Sequence, residues 1–113
     1  MTNLLKETIE DIKQSGHKVS DITFIGSIDS GYSCTWDEFI TLADIEYDNG
    51  FGYQEIASDL TIVFSDGSTM WRAEYDGSEW WEYSKPVEIP EKQKQIIKLN
   101  GGLWTTLEDL HEN

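Results

Sequence analysis

The sequence has one cysteine (Cys34), two histidines and two prolines, and it sets only eight basic side chains against 22 acidic ones in 113 residues. A single cysteine excludes an internal disulfide and any zinc site built from four thiolates of one chain, which agrees with a reducing compartment. Two histidines without an H-x3-H spacing leave zinc nothing to start from. Scarce lysine and arginine argue against a direct, sequence-independent grip on nucleic acid, which depends on cations displacing counterions. No apolar run approaches the roughly 20 residues needed to cross a bilayer. The opening MTNLLKETIEDIKQ is helical in pattern but acidic and interrupted, unlike a secretory leader. These absences predict a cytoplasmic protein with no cofactor, no metal and no membrane partner.

What is present argues for a folded chain. Hydrophobic residues make up 38% of it, with five Trp, five Tyr and four Phe, too many for a disordered acidic tail. The length suits a single domain, residues 1–113, which on folding buries roughly two-thirds of its unfolded surface. Of the net charge of −14, nearly all lies in residues 19–84, where fourteen carboxylates face Arg72 alone. Such crowding costs stability through self-repulsion, and it attracts a basic partner.

Periodicity divides the chain into an α+β order, α-β-α-β-β-β-α-α. Leu5, Ile9 and Ile12, widened by Leu4, predict a helix over 3–15, capped by Thr2 or Asn3 and stopped at Gly16. The alternation of Ile22 and Phe24 predicts a strand over 20–26. Thr35 and Glu38 form a capping box before Trp36, Phe39, Ile40 and Ala43, predicting a helix over 36–46. Residues 47–58 read as a long aromatic-bearing loop.

Three strands then follow, over 59–65, 68–75 and 78–84, separated by Asp66-Gly67 and Asp76-Gly77. A two-residue turn at Asp66-Gly67 pairs Phe64 with Thr69, Ile62 with Trp71 and Leu60 with Ala73. A three-residue loop, Tyr75-Asp76-Gly77, pairs Trp71 with Trp81 and Thr69 with Tyr83, whereas a two-residue turn would set Trp71 against Glu82. Hydrophobic matching therefore favours different loops in the two hairpins. The resulting core face carries Leu60, Ile62, Phe64, Trp71, Ala73, Trp81 and Tyr83. Thr61, Val63, Met70, Arg72, Glu74, Trp80 and Glu82 then face outward, with a cross-strand ion pair from Arg72 to Glu74 or Glu82. Pro86 and Pro90 end the sheet. Pro90 opens a predicted helix over 90–99, and Thr105 with Glu108 caps a last one over 106–111. The whole reads as a three- to four-stranded antiparallel meander packed by helices.

No motif speaks for catalysis. Cys34 stands two residues before a helix, where a thiol can ionise more easily, but only His17 and His111 are available as partners. The run Asp44, Glu46, Asp48, Gly50 and Glu55 resembles a calcium loop with its glycine one position late. The stretch GFGY lacks the Lys and Ser/Thr of a phosphate loop. A small hydrolase would have to rest on surface carboxylates such as Asp37 and Glu38.

The stretches TWDEFITLADIEYDNGFG (35–52) and EYDGSEWWEY (74–83), about a quarter of the chain, resemble small uncharacterised proteins of phages and prophages of Gram-positive bacteria. In size and charge the chain is also similar to anti-restriction and anti-CRISPR inhibitors, many of which occupy the basic channels of host nucleases with carboxylate surfaces. That similarity carries no specific residue across. It implies a non-enzymatic protein, acting in the host cytoplasm, that binds a basic partner such as a host nuclease or DNA-binding protein. The candidate protein-binding residues are Asp44, Glu46, Tyr47, Asp48, Phe51, Tyr53 and Glu55 in the loop, with Glu74, Asp76, Glu79, Trp80 and Glu82 on the meander. The alternative is an acidic accessory or structural protein that docks its partner on exposed aromatics.

Overall fold

The computed structural model describes residues 1–50, 52–84 and 89–112, so the expectations for Phe51 and Pro86 lie outside the described residues. In order the elements are β1 (Thr2–Asn3), α1 (Leu4–Gln14), a 3-10 turn (Val19–Asp21), β2 (Ile22–Gly26), α2 (Trp36–Leu42), β3 (Glu46–Tyr47), β4 (Thr61–Phe64), β5 (Thr69–Tyr75), β6 (Ser78–Tyr83) and α3 (Leu107–His111). The fold is α+β. An antiparallel sheet of order β2-β4-β5-β6 forms its frame, and β1 and β3 make a second, two-stranded antiparallel sheet.

Local chemistry sets most boundaries. The Asn3 side chain accepts from the Lys6 amide at the start of α1. At its end Gly16 N–H bonds Lys13 O at 3.0 Å and His17 N–H bonds Ile12 O at 3.1 Å, a Schellman closure. Thr35 and Glu38 complete the expected capping box of α2. The buried stripe of α1, however, is Leu4, Thr8 and Ile12, with Ile9 turned to solvent. Thr8 earns its interior place by accepting from the Trp81 indole N–H at 2.8 Å while donating to Leu4 O at 2.7 Å.

Helix α2 ends at Leu42 rather than at residue 46. The carbonyls of Ala43 and Ile45 accept from Leu5 and Leu4 N–H, two donors that α1 leaves open at its N-terminus. The chain then continues as β3, pairing Glu46 with Asn3 and Tyr47 with Thr2. Part of the segment expected to be loop is therefore a strand.

The two hairpins have exchanged loop lengths relative to the expectation. β4 and β5 pair Thr61 with Trp71, Ile62 with Met70 and Val63 with Thr69. Their loop is three residues long, Ser65-Asp66-Gly67, closed by Phe64 N–H to Ser68 O at 2.9 Å. β5 and β6 pair Trp71 with Glu82, Arg72 with Trp81 and Tyr75 with Ser78, around a two-residue turn. Asp76 (φ 53°) and Gly77 (φ 87°) are both left-handed there, as a type I′ turn requires. Every side chain of β5 is thereby turned over. Ile62, Phe64, Met70, Arg72, Glu79 and Trp81 are buried, while Trp71 joins Trp80 on the outer face. Hydrophobic matching failed because it kept Arg72 out of the core. The core also includes Ile12, Ile25, Phe39, Tyr47 and Ile56.

Residues 90–99 form no helix, against expectation, and every residue from Ile89 to Asp109 is exposed. Ile96, Ile97 and Leu99 fall at i, i+1 and i+3 with nothing to dock on, and a ten-residue helix in water is marginal without packing. The last helix is capped by Thr106 and Asp109, one residue later than the Thr105–Glu108 box. Among the described residues, the hydrogen bonds and ion pairs of 89–112 stay within that stretch. His111 Nε2 accepts from the Ile97 and Lys98 amides, and Lys94 pairs with Glu112 at 2.8 Å. No helix of the described residues is long and apolar enough to cross a membrane.

Candidate functional site

Arg72, the sole cation between residues 19 and 84, is 4% exposed. Its Nη2 donates to Glu79 Oε1 at 2.9 Å and to the Tyr47 hydroxyl oxygen at 2.8 Å, and its Nη1 reaches Glu7 Oε2 at 3.4 Å. The Tyr47 hydroxyl in turn donates to Glu7. The guanidinium carbon lies 5.1 Å from the Trp81 ring centroid and 5.5 Å from that of Tyr47. Burial opposes the charge, yet bonds to Glu79 and Tyr47 and the field of Glu7 hold the guanidinium pKa above its ordinary value. Burial and the Glu7 bond push the Tyr47 phenol upward as well.

Glu79 links this network to the chain ahead of β4. Its carboxylate accepts from the Glu55 amide at 2.6 Å and the Ile56 amide at 3.3 Å, and its own N–H bonds Asn49 O at 2.8 Å. A Cβ added at Gly77 would lie 2.8 Å from Gly52 O, so backbone packs on backbone there. Asn49, Glu55 and Ile56 are thus held against the start of β6 by the amide and the buried carboxylate of Glu79. Two candidate binding residues, Tyr47 and Glu79, are therefore interior members of this network and correct the expectation that they face a partner. The sequence signal for Glu79 was present in its sharing a strand face with the core residue Trp81, but the register of β5 had to bring Arg72 inward to give a carboxylate there its partner.

The remaining described candidates are surface residues. Asp44, Glu46, Asp48, Tyr53, Glu55, Glu74, Asp76, Trp80 and Glu82 are all exposed, and Tyr53 is 78% exposed rather than tucked under the sheet edge. Asp44 accepts from Asn3 Nδ2 at 3.0 Å. Glu55 Oε2 accepts from the Asp48 amide and Asp48 Oδ1 from the Gly50 amide, so these two carboxylates bind backbone. No group of three or more His, Cys, Asp or Glu residues able to hold a metal ion occurs among the described residues. The expected ion pair from Arg72 to Glu74 or Glu82 is replaced by those to Glu79 and Glu7.

Trp71 is the residue that pattern reading missed. Expected in the core, it stands on the outer face opposite Glu82, and Trp71 and Trp80 are each 37% exposed. The Trp80 indole N–H donates to Glu82 Oε2 at 3.3 Å. Tyr75, 76% exposed, extends the same face toward the turn.

Other chemistry-bearing groups are committed to structure. Burial pushes the Cys34 thiol pKa up and Glu38 adds to the effect, the opposite of an activated thiolate. His17 stacks on Phe64 at 4.0 Å and bonds Asp66 Oδ2 at 2.8 Å. The Ser68 amide, with help from His17, holds the Asp66 carboxyl at about 2. Glu38 is likewise held below the usual carboxylate range by its capping bonds to Thr35, unlike a general acid.

Asp11 carries a pH effect. Burial, reinforced by Glu7, raises its carboxyl from 3.8 to about 6. A carboxyl raised on folding favours the native state while protonated, and that contribution is lost as pH climbs from about 4 through about 6. Asp11→Asn is expected to unfold at higher urea than wild type at pH 8, with the gap closing below pH 4. A gap that is the same at both pH values would contradict this assignment.

No family model, no curated protein and no solved structure matches the chain.

Proposed function

We propose that the chain is a non-enzymatic binding protein whose acidic surface engages a basic protein, a nucleic-acid-handling enzyme of the host, and acts on it as an inhibitor or decoy. The observation that carries this reading is the fate of Arg72. The one cation of residues 19–84 is buried and ion-paired, so every exposed formal charge of that stretch is negative. Fields of one sign steer oppositely charged partners and exclude nucleic acid itself. The resemblance to phage proteins and the size and charge of known anti-defence inhibitors support the same reading.

Capture of the protein's partner from host lysate at low and high salt, with DNA as competitor, tests it. A basic nuclease or DNA-binding protein released both by DNA and by salt is the expected result, because screening lengths shrink from about 10 Å at 0.1 M to about 3 Å at 1 M. A partner indifferent to both would remove charge from the mechanism. With the partner in hand, Glu46→Lys combined with Asp48→Lys is expected to slow association roughly tenfold at low salt. Both side chains are exposed, so circular dichroism should report an intact fold. Stopped-flow rates equal to wild type would take this segment out of the interface.

One observation favours a second reading, an accessory protein docking through aromatics. The observed register puts Trp71 and Trp80 together on a sheet face that carries only half-buried and exposed residues. Retention of the partner at high salt, with loss on Trp71→Ala, is the outcome that reading expects.

A further inference from the structure

We infer that the outer face of β5 and β6 binds arginine side chains of the partner, seating guanidinium groups on the indoles of Trp71 and Trp80 beside the Glu82 carboxylate. This rests on the reading of the acidic surface as the partner-binding surface, and it names the chemistry that surface selects.

The register builds the site. Trp71 is opposite Glu82, Ala73 opposite Trp80 and Tyr75 opposite Ser78. Opposed residues of an antiparallel pair share a face with Cβ atoms about 5 Å apart, and next-but-one residues of one strand lie about 7 Å apart. The small Ala73 side chain is therefore a floor, with Trp80 beside it and Trp71 and Tyr75 before and after it on β5. The bond from the Trp80 indole N–H to Glu82 Oε2 holds this ring toward the carboxylate. The ring stacks among the described residues are His17 on Phe64 and Trp36 on Phe39, so neither outer indole spends its face on another ring.

The inner face of the same strands shows what this set of groups holds. There Arg72 lies over Trp81 and Tyr47 and is bonded to Glu79, with Glu7 at 3.4 Å. The outer face repeats the inventory of indole, phenol and carboxylate without a cation, and residues 19–84 have no other cation to supply. A guanidinium suits it better than an ammonium. It is planar, stacks on aromatic faces, sheds water more readily and still donates hydrogen bonds to a carboxylate from its edge. A second copy of the chain is a poor occupant, because two faces from chains of net charge −14 repel each other.

The test compares two ten-residue peptides of equal charge, one alternating glycine with arginine and the other glycine with lysine, in calorimetric titrations of the full chain at low salt. The arginine peptide is expected to bind about fivefold more tightly or better, with a change in tryptophan fluorescence. That preference should vanish in Trp71→Ala and Trp80→Ala, with lysine-peptide affinity nearly unchanged, and should shrink in Glu82→Gln. Trp71→Leu and Trp80→Leu, which keep apolar cover on the sheet, replace the alanine variants if those lose their circular dichroism signal. Equal affinity for the two peptides, unaffected by the tryptophan variants, would overturn the arginine site and leave the acidic-surface reading standing. Binding of neither peptide would overturn both. Sedimentation showing a dimer that Trp71→Ala dissolves would assign the face to self-association instead.

Discussion

Arg72→Ala is expected to destabilise the protein by about 3–5 kcal/mol, a large part of the ~5–15 kcal/mol that holds a typical domain. The side chains of Arg72 and Glu79 are both fully buried, and that of Glu7 is 15% exposed. Removing the guanidinium leaves two carboxylates with no cation inside the core, together with a Tyr47 hydroxyl that loses a donor. The loss propagates through Glu79, which holds the Glu55 and Ile56 amides. Urea unfolding measures the energy, and amide exchange at Glu55 and Ile56 reports whether the segment is released. An apolar pair, Arg72→Met with Glu79→Leu, should recover only the part due to the unpaired Glu79 charge, since the Glu55 and Ile56 amides then lose their acceptor. A cost below about 1 kcal/mol for Arg72→Ala would mean that water reaches this network and that it does not set the register.

Gly26→Ala is expected to cost several kcal/mol by a different route. Gly26 ends β2 at φ 153°, and a Cβ there would stand 2.0 Å from Tyr32 O and 2.8 Å from the Ser33 Cα. Both obstacles are backbone, so no side chain can swing away. The same backbone is fixed by Ser27 N–H to Tyr32 O at 2.9 Å and Cys34 N–H to Ile25 O at 3.0 Å, which close residues 27–33 into a tight excursion. Overpacking costs ~1–3 kcal/mol and backbone strain a similar amount, so the two together amount to ~2–6 kcal/mol. Gly31→Ala is the control. Its φ is 82° but nothing lies within 4 Å of the added Cβ, so it should cost only about 1 kcal/mol. Thermal unfolding of the two variants side by side separates steric collision from strain, and equal losses would remove the collision as the cause.

The acidic surface was legible in composition alone, and Asp44, Glu46, Asp48, Glu55, Glu74, Asp76 and Glu82 are indeed at the surface. Tyr47, Glu79 and Trp71 were not. For a candidate interface this is the costly kind of error, since the slip in β5 hides the indole that stands beside Trp80 and leaves Arg72, the interior partner of Tyr47 and Glu79, on the wrong face.

The difference follows the range of the forces. Asn3 before α1, Thr35 with Glu38 before α2, and the paired Asp-Gly turns act on atoms a few residues away, so the sequence by itself determined the α+β class and most element positions. The two Asp-Gly turns are alike locally, and nothing within either turn says which takes two residues and which takes three. That choice belongs to Arg72, whose partners Glu79, Tyr47 and Glu7 lie 7, 25 and 65 residues away in sequence. Residues 90–99 show the converse, a passable helical sequence left without a surface to dock on and so without a helix. Whether a charge is buried or an apolar stripe is covered depends on which groups the folded chain brings within about 4 Å, and only the tertiary structure decided that.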